Sequence, residues 1–299
     1  MYDLSDPVKI WTHAKAFSKT KGIEFSIADA DEQKVKKIVG KYNVIVLKLS
    51  DETDFREYDI VSLTTPTPTH FSYLKKLMEQ NIPLIICEKP VAANNKELLE
   101  LSKLYRKSKS KILVNYIRRF QPAYHKLKKR IALISRKNSC KGINIKYQRG
   151  ILNNGSHAFD LLEFLFDKPF LFDGFKVQKK IFDAFKYDPT VSGSCNFAGC
   201  PVTILGITEA AYPQFEIELF YPDEKIVICH SGDEIRFYKP GKTDKALVEI
   251  KKLRQSNILS QYMLPVVGQG LRLLANKKEP DNFQQSVALN SRIVKLFEK

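Results

Sequence analysis

The chain has 299 residues, 49 Lys+Arg against 33 Asp+Glu for a formal net charge of +16, and 43% hydrophobic residues, a globular composition that excludes a disordered or fibrous chain. No run approaches the length of an apolar spanning helix, and residues 1–6 lack the basic-then-apolar order of a secretory signal. Five irregularly spaced cysteines with no CxxC pair argue against a disulfide framework, so the expected setting is the reduced cytoplasm.

Asp6 and Pro7 predict a helix start, with Ile10, Trp11, Ala14 and Phe17 at helical spacing and Gly22 as its stop. A strand over 23–28 closes on Asp29 and Asp31; a charged helix over 32–41 and an apolar strand over 43–48 follow. The alternation then repeats: strand 59–64, helix 69–80 with Phe71, Leu74 and Leu77 on one stripe, strand 83–87, helix 95–107 and strand 111–116. Strands alternating with helices of about a dozen residues imply an α/β, doubly wound parallel sheet.

Near residue 120 the pattern changes. One amphipathic helix spans roughly 155–166, and strand-like segments occupy 142–149, 174–180, 191–197, 201–209, 213–221, 225–230, 234–239 and 245–250. Helices over 258–275 and 281–297 finish the chain. Strands in succession with helices at the ends predict an α+β domain on a large open, mostly antiparallel sheet. The expected division is 1–119 and 120–299.

The charge excess is local. Residues 101–159 hold 16 Lys/Arg and no Asp or Glu. Lys outnumbers Arg 38 to 11, whereas base-reading surfaces favour the arginine fork, and no zinc-finger, RRM or helix-turn-helix pattern accompanies the block. Nucleic acid is therefore not an expected partner. The block reads as solvated lysine-rich helix faces or as a cleft that attracts an anionic small molecule.

Ligands of doubly wound sheets bind beyond the carboxyl ends of the strands. Three polar clusters fall there: Thr64-Thr65-Pro66 with His70 one turn into the next helix, Glu88-Lys89-Pro90, and Asn115-Tyr116 followed by Arg118-Arg119. Turn chemistry alone places Thr, Pro and Lys in loops, so the weight lies in three clusters sharing one rim. A lysine between a buried strand and a proline loses hydration, which lowers its pKa toward the acid/base range. In the second half Asn153 and His157 stand four apart, on one face of a helix, with Gly155 and Asp160 beside them.

Together these residues resemble the Gfo/Idh/MocA oxidoreductase family: the 59–64 strand with Thr64-Thr65-Pro66 and His70, then Glu88-Lys89-Pro90, Arg118-Arg119-Phe120 and Gly155-x-His157-x-x-Asp160, in that order. The resemblance implies a Rossmann-type domain and a substrate domain, and a hydride transfer between nicotinamide and the hydroxyl or ketone of a sugar or nucleotide-sugar. It makes Lys89 and His157 the catalytic groups and Arg119, Asn153 and Asp160 the substrate contacts. Asp29, Thr64, Thr65, Pro66, His70, Glu88 and Asn115 would line the dinucleotide, with no metal. Asp29 at the second strand end would take the ribose hydroxyls and repel a 2′-phosphate, so NAD is expected over NADP. The Lys89–Pro90 bond is expected to be cis, and a homo-oligomer through the open sheet is expected.

Two departures from the family pattern stand out. Asn153 occupies a position where the family often has Asp, so proton transfer falls to Lys89 and His157. The glycine-rich phosphate loop and its preceding strand have no counterpart: no glycine precedes Gly22, and Gly268-Gln-Gly270 lies inside a late helix. The expectation is a chain that starts one strand late, with Met1 an internal methionine. The rival expectation is a non-catalytic homologue serving as a binding or assembly partner.

Overall fold

A computed structural model describes residues 6–297 except 43, 51 and 277. Its first part alternates α1 (His13–Lys19), β1 (Ser26–Ile27), α2 (Glu32–Val39), β2 (Ile45–Val46), β3 (Ile60–Leu63), α3 (Thr67–Glu79), β4 (Leu84–Cys87), α4 (Asn95–Tyr105) and β5 (Lys111–Val114). Every pairing here is parallel, β1 with β2 and β3–β4–β5 in that order. Leu63, Cys87 and Val114 stand in register at the strand ends. The residues that follow them, Thr64, Glu88 and Asn115, therefore share one rim.

The β4 strand is buried along its whole length because both its faces are covered. Leu84 and Ile86 pack with Leu113 against Ala16 and Phe17 of α1 and against α7 (Met263–Ala275). Ile85 and Cys87 join Ile112, Val114 and the α3 and α4 leucines in the main core. Gly270 lets α7 approach, since a Cβ there would stand 2.9 Å from a Leu84 methyl. Gly270 thus serves packing, whereas a Cβ at Gly268 would meet only the Arg272 guanidinium, at 3.9 Å.

Two expectations fail locally. The N-terminal helix begins at His13, capped by Thr12, and not at Asp6. Residues before it are held extended by backbone pairing of Ile10 with Ser260 and Met263, and Asp6 instead accepts from the Val8 and Lys9 amides in a tight turn. The strand expected over 43–48 reduces to Ile45–Val46, with Asn43 outside the described residues. Among the described residues no strand joins β1–β2 to β3–β4–β5. Between them lies a cavity of about 1870 Å³ lined by Phe25, Ile27, Leu47, Val61 and Leu63.

The second part opens with α5 (Pro122–Ser135), a helix absent from the sequence expectation, which buries Tyr124, Leu127 and Ile131. An eight-stranded sheet follows: β6 (Gly142–Gln148), β7 (Asp173–Phe185), β8 (Asp188–Phe197), β9 (Cys200–Ile207), β10 (Phe215–Phe220), β11 (Lys225–Cys229), β12 (Glu234–Pro240) and β13 (Leu247–Glu249). Its order is β13-β12-β11-β10-β6-β9-β8-β7, antiparallel throughout except β6 with β9. The alternation of buried and exposed residues in β9 shows one covered and one open face. Between β6 and β7 the chain forms a wide turn over 151–155 and then α6 (Ser156–Phe166), which packs on the covered side. The last helices, α7 and α8 (Phe283–Val294), return to the first sheet, where Asn282 brackets the Val114 backbone and Asn290 accepts from the Val91 amide. The expected parallel sheet and large, mostly antiparallel sheet are both present.

Candidate active site

The cleft is built where the rim of β3–β5 meets the 151–155 turn. Lys89 follows β4 through a cis Lys89–Pro90 bond. Its ammonium donates to the Asn153 carbonyl at 2.8 Å and to Asn153 Oδ1 at 2.9 Å. Burial lowers the Lys89 pKa from 10.5 to about 8; Glu88 and Asp188 act against that shift, while the Arg118 and Arg149 charges reinforce it. The group is half-buried and close enough to neutrality to exchange a proton near physiological pH.

His157 lies one turn further along, on α6, 8% exposed, with its ring edge-on to Tyr116 at 5.6 Å between centroids. Burial, then the charges of Lys89 and Arg118, hold its pKa well below the usual histidine value, so it stands as neutral imidazole. Tyr116 is fixed by Asn290, which donates to its hydroxyl at 2.7 Å. Asn153 and His157 both stand beside Lys89, but Asn153 sits on the wide turn ahead of α6 and not within the helix that the spacing predicts. Insertions of that kind are frequent at functional sites.

Glu88 anchors a second knot. Its Oε1 meets His13 Nε2 at 2.9 Å and accepts from Asn115 Nδ2 at 2.6 Å, while His13 Nδ1 meets Ser62 Oγ at 2.5 Å. Burial pushes the Glu88 pKa up, but the hydrogen bonds from His13 and Asn115 and the charge of Lys89 outweigh it, and the carboxylate stays ionised. His13 is a site residue the sequence reading passed over, and it lies 75 residues from its partner.

A family model described as "oxidoreductase family, NAD-binding Rossmann fold", Gfo/Idh/MocA, matches residues 11–116. Over those residues the chain is similar to the NAD-binding domain of that family. An inositol 2-dehydrogenase of Rhizobium meliloti is 28% identical over 167 residues, 51% of this chain, and the match spans only half of that relative's length. Among solved structures, a dehydrogenase (MviM) of Clostridium difficile aligns over 96% of this chain and 93% of its own, with 17% identity and a TM-score of 0.74. The UDP-N-acetylglucosamine 3-dehydrogenase GnnA of Acidithiobacillus ferrooxidans aligns over 95% and 90%, with 14% identity and a TM-score of 0.68. KijD10, a 3-ketoreductase of Actinomadura kijaniata in complex with NADP and TDP-benzene, aligns over 95% and 92%, with 9% identity and a TM-score of 0.74. These three likenesses show the fold.

The expected site residues divide. Lys89, His157, Asn153, Glu88 and Asn115 converge, and Thr64 and Thr65 line the cavity at the end of β3, next to the exposed Pro66. Asp29 is exposed just beyond β1, accepting from the Asp31 amide. His70 departs from expectation. It is 1% exposed, and its two ring nitrogens bridge the Pro90 and Thr65 carbonyls at 2.8 Å each, so it ties two rim loops together and does not line the cleft.

Arg119 and Asp160 depart too. Their side chains pair in the interior, Nε to Oδ2 at 3.4 Å, and the guanidinium donates to Gln285 at 3.1 Å. Arg119 lines a second cavity beside Phe164 and Gln285, while the Asp160 charge also acts on Tyr116 and Arg118. Burial lifts the Asp160 pKa to about 7 against the pull of Arg119. The arginine that does face the site is Arg118, whose charge acts on both Lys89 and His157. Its guanidinium stacks on Phe215 at 3.8 Å and donates to the Ser231 carbonyl at 2.6 Å. Asp188, at the start of β8, is a further residue of the site that no sequence motif marked; it accepts from the Leu152 and Asn153 amides.

Proposed function

We propose that this protein is an oxidoreductase moving a hydride between a nicotinamide dinucleotide and the hydroxyl or ketone of a sugar or nucleotide-sugar. The observation that carries this reading is a lysine with a pKa near 8, aimed by Asn153 into a cleft beside a neutral histidine at the carboxyl ends of parallel strands. The dinucleotide would supply the hydride acceptor or donor. Asp29, Thr64, Thr65, Pro66, Glu88 and Asn115 offer a rim of the chemistry that such a group requires, and Asp29 in its exposed position favours NAD over NADP, because a carboxylate repels a 2′-phosphate.

Lys89 exchanges the substrate hydroxyl proton, and His157 holds the same oxygen by a hydrogen bond. Neutral Asn153 orients a hydroxyl without taking its proton. Arg118 and Arg149, the cations that depress the Lys89 pKa, favour a substrate carrying phosphate or carboxylate. The proposal extends to a homo-oligomer through the open face of the large sheet, where Leu205 is 46% exposed, and light scattering on the purified protein tests that part.

NADH fluorescence titration together with turnover on a panel of nucleotide-sugars tests the central reading. Lys89→Met should abolish turnover and keep dinucleotide affinity; turnover equal to the parent protein would refute the assignment. The gap between β1–β2 and β3–β4–β5 favours the second reading, a non-catalytic binding partner, which the absence of any NADH affinity would support.

A further inference from the structure

The two hydrogen bonds that aim the Lys89 ammonium both end on Asn153. Whatever fixes Asn153 therefore fixes the lysine. The turn that carries it begins at Arg149 and Gly150, both with positive φ, and turns its amides inward. There they meet Asp188, a fully buried carboxylate from β8. Its Oδ1 accepts from the Leu152 amide at 2.8 Å and its Oδ2 from the Asn153 amide at 2.7 Å. The fit is close: a Cβ at residue 150 would stand 2.0 Å from Oδ2, so glycine is the residue that leaves room for the carboxylate. Thr190, two residues along, accepts from the Gly150 amide at 3.0 Å and donates to Asp183 at 2.7 Å, which holds the start of the turn to the same strand.

Neutral acceptors are enough to hold two amides, and a carboxylate in this position costs free energy on burial. Its charge has a second effect, since it stabilises the Lys89 ammonium against Arg118 and Arg149. We propose that Asp188 is a positioning residue for Lys89, clamping the Asn153 backbone that receives the ammonium and supplying the negative charge behind the neutral Asn153. The proposal rests on the reading of Lys89 as the acid/base group. Asp188 is faced by Lys89 from the end of β4 and by Tyr147 from β6, with Asp183 of β7 beyond Tyr147 and Thr190. Lys89 is faced by Glu88, Arg118, Arg149 and His157 besides.

The test observes the lysine directly. In the full chain labelled with ¹³C at lysine Cε, the Lys89 resonance is assigned by its loss in Lys89→Arg and titrated. Asp188→Asn preserves shape and removes the charge, so the Lys89 midpoint should fall by about half a unit or more, roughly threefold in its proton affinity. An unchanged midpoint overturns the proposal. In the unsubstituted protein the Leu152 and Asn153 amide shifts should titrate together with the Asp188 carboxyl, whose pKa burial raises to about 6. Flat amide shifts from about pH 4 to about pH 8 overturn the clamp even where Asp188→Asn does not fold. Neither measurement reads turnover. A displaced Lys89 midpoint in a protein without dinucleotide-linked activity would refute the proposed function and leave the role of Asp188 standing.

Discussion

Replacing Lys89 by methionine exchanges a half-buried ammonium for an uncharged chain of similar length, and the site geometry predicts that the loss of function comes with a gain in stability. Burial lowers the Lys89 pKa from 10.5 to about 8, so the folded state resists a proton that the unfolded chain binds freely. At about 1.4 kcal/mol per unit the penalty reaches at most about 3 kcal/mol. It is present in full below pH 8. Between pH 8 and 10.5 the unfolded chain holds more protons than the folded one, so parent stability climbs with pH and the penalty disappears. Against it stand the two hydrogen bonds to Asn153, about 1 kcal/mol each at most because solvent reaches the half-buried Asn153. Lys89→Met should therefore be about 1–2 kcal/mol more stable than the parent at neutral pH, with the advantage gone or reversed near pH 10.5. Paired urea unfolding curves at both pH values measure it. A parent more stable at neutral pH, or a difference that ignores pH, would refute the placement of a strained charge at residue 89.

Three other outcomes follow from contacts already described or adjoining them. Arg119→Met strips the buried Asp160 of its ion pair, and because that carboxyl already titrates near 7 it takes up a proton, so the cost in urea unfolding should be about 1 kcal/mol at neutral pH and grow as pH rises. Tyr147→Phe removes a hydroxyl that accepts from the Val191 amide at 2.8 Å and donates to the Val191 carbonyl at 2.9 Å. It should cost about 2 kcal/mol and speed hydrogen exchange at Val191. Arg118→Met takes away a cation that faces Lys89, so the Lys89 midpoint should rise from about 8, as read by the same ¹³C titration.

Periodicity and strand–helix alternation were enough to read the large sheet and the parallel β3–β4–β5 sheet, but not the separation of β1–β2 from it, because burial of one face is written into consecutive residues and strand neighbours are not. The eight segments expected for the large sheet are its eight strands. Helix α5 was missed although Tyr124, Leu127 and Ile131 keep a helical spacing, since it sits within the lysine-rich block and its apolar stripe is narrow. The Lys89 rim was legible because strand ends converge wherever strands run parallel. Which of two adjacent arginines faces the site was not legible: Arg118 and Arg119 lie on one short turn (Ile117–Phe120) and leave it in different directions, toward Phe215 and toward Asp160. His13 and Asp188 act through contacts 75 and 35 residues away, which no local pattern encodes. His70 occupied the expected place but serves two backbone carbonyls, a use indistinguishable in sequence from lining a cleft.

The return of α7 and α8 to the first sheet carries a consequence for synthesis. Both backbone groups of Val114 and the amide of Ile112 at the outer edge of β5 are satisfied by Asn282 and Asp281, and the inner face of β4 is covered by α7. As the chain emerges from the ribosome, strand β5 waits for partners 168 and 169 positions later before that edge closes. During this interval an open parallel edge and an apolar face are exposed together. A ribosome-bound chain stopped before α7 should therefore engage chaperones, whereas one released after α8 should not. The long contacts that close this edge and face also set the order in which the protein can become safe in a crowded cell.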